Sequence, residues 1–129
     1  MTTIIFNCVI PRLRIFDVDK AKEFYLKFLG FELQWEYRHD EKSPVYMEVS
    51  RGNFAIHLTE HHGDCCPGAS IFVWMKGIDN YYQEISNCDY PFMNPRIENA
   101  FWDSRLMTVI DPFGNTILFN EPINEEQDN

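Results

Sequence analysis

R-L-M-T-V-I-D-P-F-G-N-T-I-L-F-N-E-P, residues Arg105–Pro122, is the stretch from which the fold can be read. Two β-rich apolar runs, Leu106–Ile110 and Thr116–Phe119, flank Asp111-Pro112-Phe113-Gly114-Asn115. Pro112 presets φ for a turn, and Gly114 takes positive φ at no steric cost. The spacing predicts a hairpin near the C-terminus. A similar arrangement stands at Tyr46–Glu60, around Gly52-Asn53.

Working outward, the chain repeats itself weakly. Asp17-Val18-Asp19-Lys20-Ala21 has a counterpart in Gly77-Ile78-Asp79-Asn80-Tyr81, 60 positions on. Each half reads strand, helix, then strands ending in a hairpin. Two copies of so long a unit fit paired modules in one domain better than a solenoid. The division is a first module at about residues 4–60, a linker at 61–68, a second module at about 69–122 and a disordered acidic tail at 123–129.

In the first module, Ile4–Phe16 reads as a strand, with Leu13 and Ile15 on one side and Arg12 and Arg14 on the other. Pro11 demotes its middle to an edge or bulge. Asp17 caps a helix over Val18–Leu29, whose Ala21, Phe24, Tyr25, Phe28 and Leu29 share one face, and Gly30 sits just past its end. Phe31–Arg38 reads as a strand with Trp35 and Tyr37 on one face and Leu33 in register beside them. Val45–Ser50 and Phe54–Thr59 form the first hairpin. In the second module, Ser70–Lys76 is a strand and Ile78–Cys88 a shorter helix. Tyr90–Asn99 reads as irregular because Pro91 and Pro95 restrict it.

Composition narrows the function classes. The chain has 129 residues, 45% hydrophobic and 16% aromatic, enough for a packed core. It contains no run of roughly 18 apolar residues, so no membrane span is expected. Met1–Ile4 lacks the basic-then-apolar pattern of a secretory signal. A cytoplasmic protein with Cys8, Cys65, Cys66 and Cys88 reduced is the expectation. A formal charge of −9 argues against nucleic acid, which needs a basic face, and favours a cationic ligand by long-range attraction.

Three motifs now carry a resemblance: F-Y-L-K-F-L-G-F (Phe24–Phe31), V-W-M-K-G-I-D (Val73–Asp79) and I-D-P-F-G-N-T-I-L-F (Ile110–Phe119). With them the chain resembles the glyoxalase/bleomycin-resistance/extradiol-dioxygenase superfamily over nearly its whole length. The resemblance implies an α+β fold of two βαβββ modules forming a curved mixed sheet around a cleft. Enzymes of that superfamily hold a divalent metal at four inward strand positions. Those positions correspond here to Ile10, His57, Ser70 and Leu118. Only His57 is a good ligand, and a divalent ion wants three or four N, O or S donors. No metal, no other cofactor and none of the metal-dependent chemistry are therefore expected.

The chain is similar in detail to the metal-free bleomycin-resistance branch. Ile10-Pro11 stands at the first ligand position, and Trp102-Asp103-Ser104-Arg105 precedes the last hairpin. The resemblance implies a homodimer that sequesters a planar, bleomycin-like small molecule in clefts at the dimer interface. Alternation from the ligand-equivalent positions puts Ala55, His57 and Thr59, then Phe72 and Trp74, then Thr116 and Leu118 on the cleft face. By resemblance Trp35, Tyr46 and Trp102 join the wall. Arg105, with Arg12, would serve an anionic ligand instead. The candidate ligand contacts are thus Trp102, Trp35, Tyr46, His57, Thr59, Phe72, Arg105 and Leu118.

Glu32, Asp40, Glu41 and Glu48 are candidates for negative charge at the cleft mouth. His57, Glu60, His61, His62, Asp64, Cys65 and Cys66 match no zinc spacing, and adjacent cysteine side chains diverge on an extended chain. No G-x-S-x-G, glycine-rich phosphate loop or general acid–base pair is identifiable, so no catalytic residue is assigned. The expectation is a binding protein rather than an enzyme. The alternatives are a metal-dependent lyase or dioxygenase with shifted ligands, and a binder of an anionic metabolite.

Overall fold

The computed structural model describes residues 2–123. The expected acidic tail beyond Ile123 lies outside the described residues. In chain order the elements are β1 (Arg12–Arg14), α1 (Val18–Lys22) with a π-helical continuation (Glu23–Phe28), β2 (Glu32–Arg38), β3 (Val45–Arg51), β4 (Phe54–Thr59), β5 (Ser70–Trp74), α2 (Ile78–Ser86), β6 (Ile97–Ala100), β7 (Ser104–Ile110) and β8 (Thr116–Pro122). They build two four-stranded mixed sheets, β1-β4-β3-β2 and β5-β8-β7-β6. In each sheet the first strand runs parallel to the last, and the remaining pairs are antiparallel. This is the α+β pair of βαβββ modules anticipated from the sequence.

Local chemistry explains the elements. Asp17 accepts a hydrogen bond from the Lys20 N–H at 3.0 Å, which caps α1. At Gly30 the chain turns out of the helix with φ +76°. In the final hairpin, Asp111 Oδ1 accepts from the backbone N–H groups of Phe113 and Asn115, both at 2.8 Å, while Gly114 takes φ +90°.

The two modules share one core. Leu13, Met47, Val49, Ile56 and Leu58 of the first sheet, Ile15 just past β1, and Met107, Val109, Ile117 and Phe119 of the second sheet belong to one buried cluster with both helices. Phe24 and Phe28 pack on Tyr90, and the Tyr81 hydroxyl donates to the Leu29 carbonyl at 2.7 Å. Arg51 reaches across the seam to Glu84 and lies over the Tyr81 ring. The Asn115 side chain donates to the Arg14 carbonyl and to Asp111, each at 2.8 Å, and accepts from the Ala69 N–H.

Four local expectations need correction. The strand expected over Ile4–Phe16 is reduced to Arg12–Arg14. Residues 2–11 form no strand, although the Pro11 carbonyl accepts from the His57 N–H at 2.9 Å, and Ile4, Phe6 and Val9 are 82%, 92% and 91% exposed. Pro11 lacks the N–H a ladder needs, and β1 has a neighbour on one side only, β4. The helix expected to run regularly to Leu29 widens to π geometry from Glu23, and the Leu29 N–H bonds the Phe24 carbonyl at 2.9 Å. A bulge between Leu33 and Trp35 sets Leu33 opposite core Val49 and Trp35 opposite Glu48, so the two lie on opposite faces. The stretch read as irregular ends in β6, four residues recruited by pairing with β7 and too short to show alternation.

Candidate functional site

Each sheet buries one face and leaves the other open, and the candidate residues collect on the open faces. On the first sheet, Tyr46 and Glu48 of β3, His57 of β4, Arg12 of β1 and Trp35 of β2 share that face through direct cross-strand pairing. The Trp35 and Tyr46 rings are stacked, with centroids 5.8 Å apart and planes 6° from parallel. His57 meets both rings edge-on, at 5.3 and 5.1 Å. A hydrogen-bonded chain runs beneath them. His57 Nε2 lies 2.9 Å from Glu48 Oε1, His57 Nδ1 lies 2.7 Å from Tyr46 Oη, and Arg12 Nε donates to Tyr46 Oη at 3.1 Å. A carboxylate only accepts, so Nε2 carries the imidazole proton and Tyr46 donates to Nδ1.

Thr59 is on the same face but fully buried under the following loop. Its hydroxyl donates to Asp64 at 2.7 Å and accepts from the His61 N–H. That hydrogen bond, reinforced by Arg12 at 3.1 Å, holds the Asp64 carboxyl below the usual carboxylate range. The positive charge of Arg12 is thus matched locally by Asp64.

On the second sheet, Phe72, Trp74, Thr108 and Leu118 share the open face. Phe72 meets Trp74 edge-on at 5.0 Å and lies tilted by 50° against Trp102 at 5.9 Å. Trp102 is delivered by the β6–β7 turn, where Asp103 adopts φ +59°, a conformation unusual for a residue with a side chain. The indole N–H donates to Asn120 Oδ1 at 2.9 Å, and Ser104 Oγ donates to the same oxygen at 2.7 Å. The buried Asn120 therefore sets the orientation of the Trp102 ring.

Arg105 does not join this wall. It alternates with Leu106 onto the helix-covered face of β7 and pairs with Asp79 of α2. The anion-binding pair Arg12 and Arg105 is therefore split between different sheets, and both guanidiniums are already engaged with carboxylates. Of the eight candidates, Trp35, Tyr46, His57 and Thr59 meet on one sheet, and Phe72, Trp102 and Leu118 on the other. Among the described residues neither aromatic face has a facing wall: Trp35 is 43% exposed and Trp74 57%. A cavity of about 700 Å³ opens at the seam of the modules, where Ala55, Phe72, Trp74 and Val9 line it.

The donor set does not fit a resident metal. Ile10 and Leu118 offer no donor atom, and both nitrogens of His57 are already hydrogen-bonded. Among the described residues no three His, Cys, Asp or Glu side chains are placed to hold an ion. In the polar connector, Glu60 accepts from the Val45 N–H and Asp64 serves Thr59 and Arg12. No helix among the described residues is long and apolar enough to cross a membrane.

A family model described as a glyoxalase superfamily protein matches residues 1–126. This chain belongs to the glyoxalase superfamily. Within the superfamily it is 30% identical to the bleomycin resistance protein of Geobacillus stearothermophilus, over 88% of this chain and 96% of that one. Its fold matches the bleomycin-binding protein of Streptomyces verticillus complexed with copper(II)-bleomycin, with TM-score 0.68 and 23% identity over 92% of this chain and 98% of that one. It also matches TnmS3, an antibiotic binding protein from Streptomyces sp. CB03234, with TM-score 0.72 and 20% identity over 93% and 99% of the two chains. At these identities the structural likenesses establish the superfamily fold.

Two features of the site were missed by sequence reasoning. Glu48 was assigned to the cleft mouth but binds His57, and Asn120 was not singled out at all. Glu48 stands two residues from Tyr46 on β3 and so shares its face. Its pairing with His57 depends on the β3–β4 register, which period-2 reasoning does not specify.

Proposed function

We propose that this protein binds and sequesters a planar, cationic, bleomycin-like drug, without a metal, in clefts formed between two copies of the chain. The observation that carries the reading is the pair of ring-lined sheet faces, each open on the side where a ligand wall would stand. Exposed apolar surface of this extent marks a binding or association face. The exposed, apolar-rich segment at residues 2–10 and the edge of β5, which no strand among the described residues covers, supply a means of holding a second copy, by strand addition. Joining one copy's Trp35–Tyr46 face to the other's Phe72–Trp102 face would give a slot with flat rings on both sides.

Each ring stacked on a heteroaromatic system contributes about 1–3 kcal/mol, by analogy with base stacking. The formal charge of −9 raises the local concentration of a cationic drug. The names of the bleomycin resistance and antibiotic binding relatives support the ligand class.

The test is a titration of tryptophan fluorescence with metal-free bleomycin. We expect saturable quenching at micromolar drug or below, weakening as salt screens the charge. A flat titration at tens of micromolar ends the drug-binding reading. Light scattering after size exclusion tests the assembly separately. The expected mass is twice the 15.3 kDa of the chain.

A further inference from the structure

The chain of hydrogen bonds from Glu48 through His57 to Tyr46 does more than support a stacking wall. A carboxylate, an imidazole and a hydroxyl in series, with contacts of 2.9 and 2.7 Å, form the arrangement that activates an oxygen nucleophile. Glu48 holds the tautomer in which Nδ1 is a free base and stabilises the imidazolium formed when that nitrogen takes a proton. Arg12 Nε, 3.1 Å from the phenol oxygen, places positive charge where the phenolate develops. A stacking role alone needs the Tyr46 ring and no partner for its hydroxyl. Here the hydroxyl has two partners, and the imidazole behind it has its own carboxylate.

We propose that Tyr46 Oη is a nucleophile toward activated acyl compounds, with His57 as its base, Glu48 as the residue positioning His57, and Trp35 as the ring on which a planar aryl ester rests. In the step, a bond forms between Tyr46 Oη and the acyl carbon as the bond to the aryl oxygen breaks. The phenol proton passes to His57 Nδ1. The leaving group departs as aryloxide or recovers that proton from His57. Water then hydrolyses the acyl-tyrosine, delivering a carboxylic acid and restoring the phenol. No electron transfer and no metal enter the balance. The inference uses the first sheet's open face and needs neither the dimer nor the drug.

The test uses 4-nitrophenyl acetate on the intact protein, with peptide mass spectrometry locating the acetyl group. Tyr37 is the internal reference. It lies opposite Tyr46 on β2, is 57% exposed, and makes no hydrogen bond or ring contact with an imidazole among the described residues. We expect Tyr46 to be acetylated at least about tenfold faster than Tyr37. His57→Gln and Glu48→Gln should lower the Tyr46 rate about tenfold or more while leaving the Tyr37 rate unchanged, with unfolding midpoints confirming that both variants fold. Equal rates at Tyr46 and Tyr37 in the unaltered protein overturn the proposal, as does acetylation of His57 in place of Tyr46. An unchanged Tyr46 rate in His57→Gln does the same. The labelling outcome is independent of the bleomycin titration, so failure of one leaves the other readable.

Discussion

Asn115→Ala should be among the most damaging single changes outside the hydrophobic core. The side chain is fully buried and ties three segments together: β1 through the Arg14 carbonyl at 2.8 Å, the hairpin turn through Asp111 at 2.8 Å, and the approach to β5 through the Ala69 N–H at 3.2 Å. Truncation removes two neutral hydrogen bonds, each with a net contribution of about 1 kcal/mol, and one to a carboxylate at about 1.5–3 kcal/mol. Arg14 and Ala69 lie in half-buried surroundings where water recovers part of the loss, so the expected cost is about 3–4 kcal/mol. That is a large share of the roughly 5–15 kcal/mol that keeps a domain folded. Urea unfolding followed by tryptophan fluorescence at one fixed protein concentration reads it. With a slope of about 1.5–2 kcal/mol/M, the midpoint should fall by roughly 2 M at unchanged slope. Asn53→Ala, at the exposed counterpart in the first hairpin, should shift the midpoint by no more than about 0.3 M. If the two variants shift it equally, Asn115 does not join the modules and the account of the seam fails.

Other consequences are open to measurement. Gly30→Ala should cost about 2–3 kcal/mol in thermal unfolding, because φ +76° disfavours a side chain by about 1–2 kcal/mol and the new methyl would stand 2.6 Å from Arg51 Nη1, disturbing its pair with Glu84. Asp64 is held below the usual carboxylate range by the Thr59 hydroxyl and Arg12. Its folded pKa is depressed, so its stabilisation is complete above about pH 4 and is lost as pH falls through the folded value. Carbon NMR should show Asp64 titrating below ordinary aspartates, and a normal titration there contradicts the geometry. Burial and Asp111 push the Tyr25 phenol well up, so the stability it confers is present below about pH 10 and is lost as pH rises further. Tyr25→Phe should be about 1.5–3 kcal/mol less stable at pH 7 yet lose less on going to pH 11. Trp35→Ala should weaken bleomycin binding about 5- to 100-fold, the loss of one stacked ring, and unchanged affinity would remove Trp35 from the site.

Short-range chemistry was legible in the chain. Asp17 as cap, Gly30 as helix end and the Asp111–Asn115 turn follow from residues within four positions of one another. So does the alternation that put His57 on the open face, because a strand's period is a property of the backbone. Interactions set by pairing were not legible. The Leu33–Trp35 bulge reverses which face Leu33 occupies, and β6 exists because β7 offers it an edge. The partnership of Glu48 with His57 requires a register that brings residues nine positions apart opposite each other. Arg105 shows the limit most clearly. Its position beside the Trp102 turn matched a ligand contact, but strand parity turned it towards α2, where Asp79 waited 26 positions away in sequence. Local rules act through backbone torsions and neighbouring atoms, which are written in the residues themselves. Register, face and partner come from burying both modules against one shared core, a condition that applies to the whole chain at once.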